Sequence, residues 1–76
     1  MESTPKILEL EWTDHTFQYG SDRVKPGHAR TVGYFVEEDD DSITVAFTWV
    51  GGQGNEQQLV LKKLLTKRRT LRAAVE

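Results

Sequence analysis

The sequence has no cysteine among its 76 residues. Disulfides, thiolate metal sites and cysteine nucleophiles are therefore excluded, and a chain this short must depend on a small apolar core. No apolar run approaches the roughly 20 residues that a membrane-spanning helix needs, and no signal-peptide pattern follows the first residues. We therefore expect a single soluble, cytoplasmic domain over residues 1–76, with residues 1–5 and 73–76 flexible.

Motifs for catalysis and cofactor binding are also missing. The sequence contains no Walker-type phosphate loop, dinucleotide fingerprint or nucleophile elbow. Its two histidines, His15 and His28, lie in a predicted loop and lack the compact spacing of a zinc site. We therefore expect no enzymatic activity, no metal and no cofactor.

Alternating apolar residues predict four strands, over residues 6–12, 30–36, 42–50 and 57–62. In the second strand, Gly33 indicates a bend or the close approach of another backbone. The fourth strand is predicted to turn Leu59 and Leu61 inward. The first and third strands have an apolar face each, formed by Leu8, Leu10 and Trp12 and by Ile43, Val45, Phe47 and Trp49.

A long loop is predicted between the first two strands, from Thr13 to His28. Loops of this length are often functional or carry some structure of their own. Phe17 and Tyr19 alternate across one residue within it. These two aromatic side chains are a candidate binding loop, or they plug the core.

The C-terminal segment, residues 62–75, permits two interpretations. It is rich in helix formers, and its apolar residues partly fit a helical stripe. Alternatively, a 3₁₀ turn leads into a short strand that covers an otherwise open sheet edge. We favour the second, which gives an all-β, SH3-like antiparallel barrel of about five strands with a 3₁₀ turn before the last strand. The alternative is a four-stranded sheet plus a C-terminal helix.

Charge is divided unevenly along the chain. Residues 1–60 have a net charge of −7, whereas residues 61–76 have +5. These charges either attract each other within the fold or form a surface that binds a charged partner. The candidate basic patch, which could contact phosphates or an acidic protein, comprises Lys62, Lys63, Lys67, Arg68, Arg69 and Arg72.

Five consecutive acidic residues separate the second and third predicted strands. Asp is common in turns, so the run is predicted to form the tip of a hairpin. Five adjacent carboxylates exceed what a turn requires, which makes the tip a candidate surface for a basic partner. The candidate acidic tip comprises Glu37, Glu38, Asp39, Asp40 and Asp41.

Several of these segments together resemble a group of small phage and prophage proteins of unknown function. The shared pattern is a Trp-x-Asp after the first strand (Trp12 and Asp14), a Val-Gly-aromatic strand (residues 32–34), an acidic turn (residues 37–41) and a terminal Arg-Arg-x-Leu (residues 68–71). The sequence departs from this pattern at Lys62, where the group prefers proline. The resemblance implies a protein made in the cytoplasm of a bacterial host, without implying an activity.

We therefore predict a non-enzymatic binding module, a phage-encoded accessory protein that binds and inhibits a host or phage protein. One alternative is a small-barrel nucleic-acid-binding protein that uses the basic patch. Another is a structural homo-oligomer in which exposed strand edges pair between copies.

Overall fold

The computed structural model describes residues 3–14 and 27–75, which form one antiparallel sheet of five strands. A 3₁₀ turn over Lys62–Leu64 precedes the last strand. The predicted all-β architecture is therefore confirmed. The alternative with a C-terminal helix is wrong, because residues 65–72 pair with the first strand instead. The strands are β1 (Ile7–Asp14), β2 (Gly27–Glu38), β3 (Ser42–Val50), β4 (Gln53–Leu61) and β5 (Leu65–Arg72).

The strand order in the sheet is β4-β3-β2-β1-β5. This order is consistent with an SH3-like barrel, but within the described residues the sheet is not closed, since β4 and β5 remain its two edges. Beyond the ends of β1 and β5, Thr4 and Val75 form an antiparallel bridge. Their backbone N–H groups donate to each other's carbonyl oxygens at 2.7 and 2.8 Å.

The inner face of the curved sheet, defined by Leu8 and Leu10 of β1, contains the core. Both side chains are fully buried. Burial of apolar side chains is the main favourable term in folding, so this cluster is where we place most of the stability. The cluster consists of Leu8, Leu10, Ile43, Val45 and Val60, with Trp12, Phe35 and Leu65 packed against it.

Gly33 allows β2 and β3 to approach closely. A Cβ atom at this position would lie 2.7 Å from the backbone oxygen of Ala46 and 3.1 Å from Cβ of Val45. Such contacts are too short for any side chain. The close approach expected from a glycine inside this strand is therefore confirmed.

A polar chain crosses the inner face. Trp12 Nε1 donates a hydrogen bond to Thr31 Oγ1 at 3.0 Å. Thr31 Oγ1 in turn donates to Gln58 Oε1 at 3.2 Å. These bonds connect β1, β2 and β4, so the curvature of the sheet brings strands together that are not neighbours in its order.

The predicted orientation of β4 is wrong. Val60, which lies opposite Ile43, is the inward residue and is 2% exposed. Leu59 and Leu61 are instead 56% and 38% exposed. Residues directly opposite each other in an antiparallel pair share a face, and the pairing with Ile43 therefore fixes the orientation of the whole strand.

The predicted alternation of β3 holds for Ile43 and Val45 but fails at Phe47, which is 49% exposed. Ala46, predicted for the opposite face, is fully buried. A Cβ atom on Gly54 would contact Ala46, Trp49 and Val36, so these side chains converge there. The far half of β3 thus contributes to a second, smaller apolar cluster.

Candidate functional site

Glu38 joins the two charged surfaces that the sequence predicts separately. It lies at the end of β2, on the acidic tip. Arg68 of β5 donates two hydrogen bonds to it, from Nη1 and Nη2, each at 2.9 Å. Lys62 Nζ, in the 3₁₀ turn, lies 2.7 Å from its Oε2. One carboxylate therefore holds two cations of the basic patch.

The fold produces this contact across the inner face. Glu38 lies opposite the buried Ile43, and Arg68 lies opposite the buried Leu10. Both charged side chains therefore project from the side of the sheet that holds the core, at its margin. A bidentate guanidinium–carboxylate pair fixes geometry as well as charge, so it ties the end of β2 to the edge strand β5.

The outer face of β1 holds two further carboxylates. Glu9 is only 8% exposed and lies 3.2 Å from Arg69 Nη2 and 3.6 Å from Arg30 Nη1. Register explains this arrangement, because Arg69 of β5 lies directly opposite Glu9. Glu9 is thus flanked by cations on both neighbouring strands.

Glu11, two residues further along β1, also has basic side chains on both sides. His28 Nε2 of β2 lies 3.1 Å from its Oε1 and, when protonated, donates a hydrogen bond to it. Lys67 Nζ of β5 lies 4.0 Å from its Oε2. The strands on both sides of β1 therefore supply the partners of Glu11, as they do for Glu9.

These contacts lower the pKa of two carboxyl groups. Hydrogen bonds from Arg68 and Lys62 lower the pKa of Glu38 from its usual 4.5 to about 2. The hydrogen bond from His28, with a smaller contribution from the charge of Lys67, lowers the pKa of Glu11. Both carboxyl groups are therefore ionised throughout the neutral range.

The acidic tip divides into residues that build the turn and residues that do not. Asp39 Oδ1 accepts hydrogen bonds from the backbone N–H groups of Asp41 and Ser42, both at 2.8 Å. The Ser42 hydroxyl donates to the same oxygen at 3.1 Å. The two backbone bonds, more than the hydroxyl, lower the pKa of Asp39. In the described part of the chain, no cation lies within ion-pair distance of Glu37, Asp40 or Asp41.

The basic patch is mostly paired. Four of its six members lie within 4.0 Å of a carboxylate: Lys62 and Arg68 with Glu38, Lys67 with Glu11, and Arg69 with Glu9. Among the residues that the structure describes, Lys63 and Arg72 have no such contact. The basic patch is therefore chiefly the counter-charge of β1 and of the end of β2.

A shallow groove of about 390 Å³ lies between the tip and the 3₁₀ turn. Its polar walls carry opposite charges, and Leu61 supplies an apolar surface. The groove is lined by Asp40, Asp41, Leu61, Lys62 and Lys63.

The other sequence candidates can be placed only in part. Phe17, Tyr19 and His15 lie outside the described residues. Within the described ranges, no group of three or more His, Asp or Glu side chains could hold a metal ion. No helix in this part of the chain is long and apolar enough to span a membrane.

Sequence reasoning missed the exposed apolar side chains near the β4 edge. Leu59 is 56% exposed, and Phe47 and Val50 of β3 are 49% and 64% exposed. The alternation of apolar residues in β3 and β4 suggested burial for Phe47 and Leu59. Only the pairing of Ile43 with Val60 reveals which residues of β4 face outward.

Comparisons with protein-family models, with curated proteins and with solved structures return no match.

Proposed function

We propose that the protein is a non-enzymatic binding module whose partner is a protein with a basic surface. The observation that supports this proposal is the unequal pairing of charge. Four of the six cations of the basic patch are held by carboxylates of the same chain. On the acidic tip, Glu37, Asp40 and Asp41 have no cation of the described residues within ion-pair distance, which leaves them to a partner.

The tip is well suited to binding because its backbone is already ordered. Asp39 fixes the turn through three hydrogen bonds to one carboxylate oxygen, and the N–H of Lys62 donates to the carbonyl oxygen of Asp41 at 2.8 Å. A preorganised surface loses less conformational entropy on association. Clustered carboxylates also speed the approach of a basic partner.

The adjacent groove adds an apolar contact to this charged surface. Leu61 lines the groove together with Asp40, Asp41 and the lysines of the 3₁₀ turn. A partner lysine or arginine has an aliphatic stem as well as a charged head. Its stem would pack on Leu61 while its head contacts Asp40 or Asp41.

The ion pairs argue against the nucleic-acid alternative. A phosphate would have to displace carboxylates that lie 2.7 to 4.0 Å from the cations. The acidic tip, close to Lys62, would repel the same ligand. The basic patch is therefore a poor phosphate surface, although the sequence shows six cations close together.

The proposed setting is a bacterial cytoplasm during phage growth. It follows from the resemblance of the strand and turn motifs to small phage proteins. In that setting, an accessory protein that binds a host or phage protein through an acidic tip would block a basic surface of its target.

The experiment is capture from host lysate with tagged protein. We expect one defined protein to co-purify, less so as salt increases, and to be lost with the variant Asp40→Asn/Asp41→Asn. The matched control, Asp40→Glu/Asp41→Glu, retains the charge and should retain the partner. Equal capture by both variants, or no reproducible partner together with salt-dependent oligonucleotide binding, would contradict the proposal.

A further inference from the structure

The strand β4 is an open edge of the sheet. It pairs only with β3 among the described strands. Every second residue of an edge strand directs its N–H and C=O groups away from the sheet, where they can pair with another chain. The backbone of β4 is separate from the acidic tip, although Leu61, Lys62 and Lys63 also line the groove beside it. Pairing through this backbone does not require the tip to bind a partner.

β4 lacks the usual protection of an edge. Proteins commonly block such strands with charged residues, proline or bulges. Of the nine residues from Gln53 to Leu61, only Glu56 is charged. The exposed side chains of Leu59 and Leu61 add an apolar surface to the unpaired backbone.

The regular part of this edge is short and self-complementary. Glu56 has a positive φ of 54°, which interrupts the extended conformation and leaves Gln57 to Leu61 as the straight segment. In an antiparallel pair of two copies centred on Leu59, Leu59 lies opposite its counterpart and Gln57 lies opposite Leu61. Position 58 then lies opposite position 60, so no like charges face each other.

Charge is also complementary at the ends of this register. Glu56 precedes the straight segment, and Lys62 and Lys63 follow it in the 3₁₀ turn. In the two-fold arrangement, Glu56 of one copy therefore comes close to the lysine turn of the other, twice per dimer. Lys63 is exposed and has no ion-pair partner among the described residues.

We propose that β4 pairs antiparallel with β4 of a second copy, around a two-fold axis at Leu59. The product is a continuous ten-stranded sheet, made of the five strands of each copy. Five paired residues per copy bury less than the roughly 1,200 Å² of a stable interface. The dimer is therefore weak and depends on protein concentration.

Cysteine trapping tests the register directly, because the chain has no cysteine of its own. Directly opposite Cβ atoms in an antiparallel pair are about 4.5–5.5 Å apart, close to disulfide geometry. Mild oxidation of Leu59→Cys should therefore give a cross-linked dimer. The control is Leu71→Cys, at a similarly exposed position on β5, which should remain monomeric at the same concentration.

Sedimentation of the unmodified chain and of charge variants gives a second readout. Leu59→Lys places two like charges at the axis and should weaken the dimer about tenfold or more. Glu56→Lys should also weaken it, and Glu56→Lys/Lys63→Glu should restore it. A chain that stays monomeric up to about 1 mM, or equal cross-linking through positions 59 and 71, would overturn the proposal.

Discussion

The two edges of the sheet are protected very differently. β5 has four cations in eight residues, and three of them form ion pairs, with Glu9 and Glu11 of the neighbouring β1 and with Glu38 at the end of β2. β4 has one charged residue in nine. On the outer face, Lys67 lies opposite Glu11 and Arg69 lies opposite Glu9 of β1, so β5 is held by charge in addition to backbone pairing. β4 is held by backbone pairing, by the buried Val60 and by the hydrogen bond between Thr31 and Gln58.

The difference between the two edges explains why positive charge is concentrated in residues 61–76. A second copy of β5 brought against the first would place lysines and arginines beside each other, which is unfavourable. The same cations stabilise β5 on its own sheet through β1. The positive C-terminal segment therefore protects one edge, and the other edge is left available for pairing.

The largest effect on stability is expected from a substitution in the core, because both edges of the sheet pack on it. Leu10→Ala removes a fully buried side chain, at a cost of about 2–5 kcal/mol. A domain of this size rarely has more than about 3–5 kcal/mol of stability, so thermal or denaturant unfolding should show a chain that is largely unfolded. In hydrogen exchange, both edges should lose protection together. The exposed Leu71→Ala is the control and should change the unfolding free energy by less than about 0.5 kcal/mol.

A smaller effect is expected from Gly33→Ala, which acts between β2 and β3. The new Cβ atom would lie 2.7 Å from the Ala46 oxygen, so the strands must separate, at a cost of about 1–3 kcal/mol. Since β4 is attached through β3, its amides should lose more protection than those of β5. Val32→Ala, the neighbouring exposed position, is the control. Equal loss of protection at both edges would contradict the assigned role of Gly33 in the close approach of β2 and β3.

Removing the charge of Glu38 should affect one edge only. Glu38→Gln eliminates the charge that holds both Arg68 and Lys62, so amides in β5 and in the 3₁₀ turn should exchange faster while those of β4 do not change. Glu37→Gln is the matched control, since its carboxylate has no ion-pair partner among the described residues. An equal effect of the two variants would show that the β5 edge does not depend on Glu38.

Lowering the pH should gradually have the same effect as removing the charge of Glu38. The pKa of Glu38 is about 2 in the folded protein, against an ordinary 4.5, and those of Glu11 and Asp39 are also lowered. A carboxyl group with a lowered pKa in the folded state stabilises it above its ordinary pKa, and that contribution is lost as pH falls. Unfolding followed between about pH 4.5 and pH 2 should therefore show decreasing stability. Glu38→Gln should show a smaller decrease, and an identical pH profile for both proteins would contradict the assignment.

The sequence predicts where the strands lie because their apolar residues alternate over much of their length. The bounds Ser42–Val50 match their prediction, although the predicted face fails at Phe47, and Gly33 correctly indicates a close approach. The orientation of β4 could not be predicted, because QQLVL is compatible with either face until the pairing of Val60 with Ile43 is known. The pairing of Glu38 with Arg68 is likewise invisible in the sequence, because it spans 30 positions and depends on the curvature of the sheet. The sequence therefore predicts two separate surfaces, one acidic and one basic. In the structure, Glu38 of the acidic tip contacts Lys62 and Arg68 of the basic patch.

Oligonucleotide binding by the unmodified protein is the most direct test of the claim that the basic patch serves the fold. A labelled single strand would be titrated at about 50 and 200 mM salt and followed by fluorescence anisotropy. We expect no salt-dependent binding, and we expect binding to emerge when Glu9, Glu11 and Glu38 are all replaced by Gln, which releases the cations. Salt-dependent binding by the unmodified chain that is abolished by Arg68→Glu/Arg69→Glu would contradict the account.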